Sequence, residues 1–412
     1  MAVSTVLAMK KNWRVALVLL VVVVACKAPP SSTTDFSCLD TIPIAPVKTD
    51  ILLVVDNSCS MTDKQDLLAT GLATFANRLA NATIQQDFQV GVITTSVIQQ
   101  VQNSPQFDID YSQAGWWGPA QAGRLQQAVR MDGSSTPKIL RYDDATFLAD
   151  FQLAVKVGVS GSAEETEFEP VRLALSSPLI DTPLDQGGNQ GLLRAGARLL
   201  VFTITDEDDC SEVVNSNGIL GYAVWIGDDK YNVDYCYQMA GLLTTPGDYA
   251  NIFLQLAAAQ GSTEVFFAAI APVDVAPPHL AIANPNSPTL QAQGCPISFG
   301  IGRRLRQMAY LYDPSGQNLD SICAASYSDT LSRLADQISA PQTLELALPP
   351  PDGRMLVVDI IRADGTAIEC TDGNGFVYAP PANGLPARLS FVDPCGRRAD
   401  DKKIDVKLIC AR

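Results

Sequence analysis

Two polar runs carry the residue types that hold a hard cation. Asp56-Asn57-Ser58-Cys59-Ser60 sets a carboxylate and two hydroxyls on alternate positions, and Thr205-Asp206-Glu207-Asp208-Asp209 supplies a second, acidic run. Magnesium takes near-octahedral oxygen ligands at about 2.1 Å and keeps several waters, so alternating hydroxyls on one tight loop, backed by carboxylates, suit it. Imidazole chemistry is limited by inventory. His279, in a Pro-rich loop and expected at the surface, is the only histidine, which excludes a histidine-cluster zinc site and any mechanism with several imidazoles. The ten cysteines include no Cys-x-x-Cys pair, so a zinc ribbon and thioredoxin-like exchange lack support.

The elements around these runs decide what they can do. Asp50 to Val55 is a continuous apolar run before the first polar loop, as expected of a central parallel strand buried on both faces. After the loop, Leu67, Leu68, Leu72, Phe75 and Leu79 recur at helical spacing, with Thr62 placed to cap the first turn. Phe88 to Thr94, Leu199 to Thr205 and Val265 to Ile270 read as further buried strands; Glu165 to Leu175, Tyr249 to Ala259 and Ser328 to Ile338 read as helices. Strand and helix in turn predict an α/β fold, a doubly wound and mostly parallel sheet over residues 48–340. Its ligands belong at the carboxyl ends of the strands. Residues 98–145, with Trp116 and Trp117, and residues 272–325 break the rhythm and read as insertions; Arg303, Arg304 and Arg306 there look like a charged helix face. From residue 343 to 412 the helical period vanishes, and short strand-like runs predict a small all-β module stapled by its cysteines.

The Asp-x-Ser-x-Ser loop between a buried strand and an amphipathic helix resembles the metal-ion-dependent adhesion site of von Willebrand factor type A domains, which have a Rossmann-like fold. The resemblance implies that Ser58 and Ser60 bind Mg²⁺ directly, Mn²⁺ or Ca²⁺ being alternatives, while Asp56 acts through water. It makes Asp206, in a Thr-Asp pair ending a second strand, the distal carboxylate. The family's middle ligand is a threonine before a helix; here the counterpart is Ser162, with Ser160 and Thr166 as alternatives. If both loops surround one ion, Cys59 and Cys210 come within bonding range, which predicts a disulfide; the alternative pairs Cys210 with Cys236. Glu207, Asp208 and Asp209 read as a solvated acidic loop in preference to a second calcium site.

The first residues read as an export signal. Lys10, Lys11 and Arg14 precede an apolar run from Val15 to Ala25, of signal-peptide size and short for a membrane span. Val23-Val24-Ala25-Cys26 resembles a bacterial lipobox, which implies a signal peptide over 1–25, lipidation of Cys26 and an outer-membrane or cell-surface location, the lipid anchor being the only membrane contact. Residues 26–47 are rich in Pro, Ser and Thr and read as a tether. In an oxidising compartment cysteines form disulfides, and loss of Cys26 leaves an odd number. With 29 basic and 44 acidic side chains the net charge is −15, which repels nucleic acid.

The expected function is therefore protein binding or adhesion through the cation, the partner offering an acidic side chain. An envelope scaffold with a structural ion is the alternative, and a metal-assisted hydrolase ranks last because the site has no general base beyond its own ligands. No catalytic residue is assigned.

Overall fold

The first apolar run becomes β1 (Val47–Val55), buried along almost its whole length. In the computed structural model it lies at the centre of a six-stranded sheet of order β3-β2-β1-β4-β5-β6. The other strands are β2 (Gln86–Thr94), β3 (Ile139–Arg141), β4 (Arg198–Ile204), β5 (Glu264–Ala271) and β6 (Leu319–Ser321). All neighbours pair in parallel except β2 and β3. The described residues are 41–97, 121–161, 165–211, 241, 243–262, 264–286, 291–351, 354–382, 385–398 and 400–410. Every described residue lies within the unit that spans residues 38–412.

Alternation along β1 builds two cores, because successive strand side chains point to opposite faces. Ile51, Leu53 and Val55 pack with α1 (Thr62–Ala80), α2 (Phe147–Ala154) and α6 (Ser328–Ser339). Leu52 and Val54 pack with α3 (Phe168–Leu175), α4 (Pro246–Ala259) and α5 (Arg303–Tyr312). The sheet is thus covered on both faces, the doubly wound arrangement its apolar strands predict. Helix α1 meets α6 closely at Gly71, where a Cβ would stand 2.6 Å from Leu331 Cδ1.

Several expectations need correction. Thr62 does not cap α1: the N-cap position is Met61, with no side-chain cap bond. Parts of both supposed insertions belong to the core. Residues 139–141 form the edge strand β3, and residues 303–321 contain α5 and β6, with Leu305, Met308 and Ala309 fully buried. His279 is buried as well, its Nδ1 2.9 Å from the Asp274 carbonyl.

The strand-rich C-terminal sheet is present. Strands β7 (Thr343–Glu345), β8 (Arg354–Ile361), β9 (Ala367–Asp372), β10 (Gly375–Ala379), β11 (Arg388–Phe391) and β12 (Lys403–Cys410) form a six-stranded sheet of order β12-β8-β9-β10-β11-β7. Cys370 and Cys395 are disulfide-bonded within it, and Cys295–Cys323 ties the loop after β5 to the segment after β6. Residues 41–45, read as part of a tether, are instead attached to this sheet, and Val47 already begins β1. Ile42 N–H donates to Val406 (2.8 Å), Ala45 N–H donates to Glu345 (2.9 Å), and the Ile42 side chain is buried.

Candidate metal centre

Strand register brings three carboxyl ends level, because Val55 of β1 stands opposite Thr94 of β2 and Ile204 of β4. Asp56 leaves β1 at this point, fully buried. Its Oδ1 accepts from the Ser58 N–H at 2.7 Å and its Oδ2 from the Thr205 hydroxyl at 2.8 Å. The carboxylate therefore holds its own loop and the β4 loop together. Ser58 Oγ and Ser60 Oγ lie 3.1 Å apart, and Ser60 Oγ donates to Asp206 Oδ1 at 2.9 Å. Asp56, Ser58, Ser60 and Asp206, distant in sequence, share one small space.

Burial raises the pKa of Asp56 to about 6, and the nearby Asp206 carboxylate adds to the rise. Burial also raises Asp206, opposed by the Lys64 ammonium and the Ser60 hydroxyl. Lys64 is a resident cation that sequence reasoning missed. Its Nζ donates to the Ser60 carbonyl at 2.7 Å and lies 3.2 Å from Asp206 Oδ2, with the side chain buried. The signal was available: Lys64 and Gln65 stand one turn ahead of Leu68 on the buried face of α1, where apolar residues belong. Gln65 Nε2 spans two loops, donating to the carbonyls of Asp56 (2.9 Å) and Gly158 (2.8 Å).

The third loop lies against the first. Gly161 N–H donates to the Asn57 carbonyl at 2.7 Å, and a Cβ on Gly161 would stand 2.2 Å from Asn57 Oδ1, so a larger residue there would have to displace the Asn57 side chain. Ser162 falls outside the described residues. Of the alternatives, Ser160 is exposed, whereas Thr166 is buried with its hydroxyl donating to the Thr95 carbonyl at 2.6 Å. Behind this loop are two carboxyls the sequence reading passed over, Glu165 and Glu167, both buried. Glu165 accepts from the Thr95 hydroxyl, and among the described residues neither Glu167 carboxyl oxygen has a hydrogen-bond partner. Burial first, then the carboxylates around them, hold both well above the usual range, which favours their protonated forms.

The acidic run after Asp206 is not a solvated loop: Glu207 is half-buried, and Asp208 and Asp209 are buried. Asp208 accepts from the Arg304 N–H at 3.0 Å and so caps α5; Asp209 accepts from the Glu167 and Phe168 N–H groups and pairs with the buried Arg304 guanidinium at 2.9 Å. Helix N-termini leave such donors open, and carboxylates satisfy them.

The Cys59–Cys210 disulfide does not form. Cys59 is a free, exposed thiol, while Cys210 is buried and disulfide-bonded elsewhere. The loop geometry gives the reason: with Ser58 turned inward and Ser60 reaching Asp206, the intervening Cys59 points outward. Cys26 and Cys236 lie outside the described residues.

The donor set fits a hard divalent ion, being two hydroxyls and two carboxylates, all oxygen. Among the described residues, no three His, Cys, Asp or Glu side chains gather into a metal-binding group, so an ion here relies on the serine hydroxyls. Among the same residues no helix is long and apolar enough to cross a membrane.

No protein-family model matches the chain, and no curated protein matches it. Solved structures with some likeness include the pilus adhesin SpaC from Lactobacillus rhamnosus GG in its open conformation, at 14% identity and TM-score 0.37, over 90% of this chain and 39% of that one. Proximal thread matrix protein 1 from the mussel byssus is 12% identical with TM-score 0.33, over 72% of this chain and 48% of that one. The chain thus spans less than half the length of either, and likeness at this level carries no argument about fold or activity.

Proposed function

We propose that the chain is a lipid-anchored surface protein whose von Willebrand factor A-like domain binds a divalent cation, Mg²⁺ first, and through it a protein partner's acidic side chain. The observation that carries this reading is the convergence of Ser58 Oγ, Ser60 Oγ and Asp206 Oδ1 within 3.1 and 2.9 Å of one another at the strand ends, with Asp56 fixed behind them. Ser58, Ser60 and Asp206 would hold the ion, and Asp56 and Thr205 would orient the loops. Bound there, the ion supplies a positive centre able to accept a carboxylate. The rim suits a protein partner: the Phe299 N–H donates to the Asp206 carbonyl at 2.8 Å, while the Phe299 and Ile297 side chains are 52% and 46% exposed. Exposed apolar groups beside a polar site are the usual make-up of a contact surface. Export and anchoring rest on the lipobox-like run ending at Cys26, and the proposed role is binding, not catalysis.

Lys64 favours a second reading. An ammonium already facing Asp206 can satisfy the site internally, as in a scaffold whose cation loop is structural. Calorimetric titration of Mg²⁺ and Mn²⁺ into the mature soluble chain, with Asp56→Ala as control, separates the two. Stoichiometric binding abolished by the substitution supports the ion site; no heat from a folded sample gives the scaffold reading the lead.

A further inference from the structure

Where the C-terminal sheet meets the amino ends of the parallel strands, a cavity of about 310 Å³ opens, within the range of small-molecule sites. One wall is the strand row β10-β11-β7. Arg388 stands opposite Glu345 and Ser390 opposite Thr343, so alternation puts these four side chains on one face, while Leu389 and Leu344 turn to the buried face. Ala379, paired with Arg388, extends the row. The other wall comes from Lys48, near the start of β1, and from Arg198 and Glu264, which stand opposite each other where β4 and β5 begin.

Some of this polar wall is satisfied within the protein. Arg198 and Glu264 neutralise each other at 3.0 Å, and the Thr343 and Ser390 hydroxyls lie 3.2 Å apart. Lys48, Glu345 and Arg388 differ: among the described residues, none of their side chains makes a hydrogen bond or a salt bridge. They nevertheless share one space. A Cβ on Gly196 would stand 3.9 Å from Glu345 Oε1, which sets this carboxylate against the turn before β4. Burial raises the pKa of Glu345, and Lys48 and then Arg388 pull against that rise, so both bases stand near the one acid. Lys48 is exposed, and Glu345 and Arg388 are half-buried, so a ligand can reach all three.

Both signs of charge in one cavity restrict what fills it. An anion alone would face Glu345, a cation alone would face Lys48 and Arg388, and like charges side by side cost free energy. A carboxylate accepts from an ammonium or a guanidinium, whereas an ammonium only donates. We infer that the cavity binds a free amino acid, its carboxylate held by Lys48 and Arg388, its ammonium by Glu345, and its side chain lying against Pro46 and Ala379. The site is independent of the cation loops, which occupy the carboxyl ends of the parallel strands.

The test uses the whole chain in the presence of chelator and reads binding by calorimetry. L-leucine is the probe, with L-leucinamide, which lacks the carboxylate, and isocaproate, which lacks the ammonium, as counterparts. Leucine is expected to bind at least about tenfold more tightly than either, a difference of about 1.4 kcal/mol. Arg388→Gln is expected to remove the preference over leucinamide, and Glu345→Gln the preference over isocaproate. Lys48→Gln changes an exposed side chain and keeps the question open to refutation if the other variants fail to fold; it is expected to weaken leucine at least about threefold. Binding of none of the probes, an analogue that matches leucine, or a Lys48→Gln chain that binds leucine as the parent does overturns the proposal.

Discussion

The Lys64 ammonium lies 3.2 Å from Asp206 Oδ2 while also holding the Ser60 carbonyl. A lysine in this position competes with any divalent ion that the two loops hold. A unit charge about 4 Å away is worth roughly 1 kcal/mol in water and several times that in a less polar surrounding. Lys64→Met is therefore expected to raise Mg²⁺ affinity by at least about fivefold. Titration of the two proteins in parallel checks it, and a weaker or unchanged affinity would mean that Lys64 is part of the site's support.

Thr205 touches Asp56 and not the proposed ion, which makes it a positioning residue. Its hydroxyl donates to Asp56 Oδ2 at 2.8 Å in a fully buried setting. Thr205→Val keeps the shape and removes the donor. Loss of a buried hydrogen bond to a charged group costs about 1–3 kcal/mol. The variant is expected to lose about that much stability in urea unfolding, and Mg²⁺ affinity with it, while Thr205→Ser restores both. A valine variant with parental ion affinity would remove Thr205 from the support of the site.

The cysteines separate by exposure. Cys59 is exposed and free, whereas Cys210 is buried and bonded. Maleimide applied to the native, unreduced protein is expected to label the Cys59 peptide and leave the Cys210 peptide unlabelled, read by mass spectrometry. Cys59→Ser should change stability by no more than about 0.5 kcal/mol, as surface substitutions do. Cys210→Ser should cost about 2–4 kcal/mol, the usual effect of losing a disulfide. Protection of Cys59 from the reagent would contradict this arrangement.

These outcomes bear on what a sequence discloses. The Asp56 loop was legible because strand, alternating polar residues and helix follow without interruption, so local pattern and tertiary position agree. The core role of helix α5 was not: its arginines read as a charged helix face, which masks the buried Leu305, Met308 and Ala309, and Arg304 is neutralised by Asp209 from a loop far away in the chain. Strand β6 has three residues and includes Asp320, too short and too polar for a periodic signal. Cys59 misled for a related reason: spacing put two sulfurs near one loop pair, but which way a loop side chain points depends on the contacts of Ser58 and Ser60.

Residues 41–45 give a further case, since a Pro-rich composition hid a pairing partner at the other end of the chain. Thr41 bridges to Lys407 and Ile44 to Leu346, and the Ile42 side chain is 3% exposed. Deleting a buried isoleucine side chain costs about 2–5 kcal/mol. Ile42→Ala is expected to lower stability by that order in denaturant titration, whereas in a solvated tether it would have no effect.

The pH dependence of stability should carry a mark of Asp50. Its carboxylate, on β1 and far from the cation loops, is held by Arg194 Nε at 2.7 Å and by the Arg194 N–H at 2.6 Å. Arg194 also reaches Asp87 at 2.6 Å, so its charge is shared. Burial outweighs these partners and raises Asp50 from 3.8 to about 6. Between those two values the folded chain binds a proton that the unfolded chain has released. Stability from this group is therefore full below about pH 4 and falls as pH rises towards 6, by up to about 3 kcal/mol at 1.36 kcal/mol per pH unit. Asp50→Asn cannot titrate. Urea unfolding at pH values from 4 to 7 should show the parent losing stability with rising pH relative to this variant. Parallel curves would place Asp50 at its ordinary value and make the Arg194 pair the stronger influence.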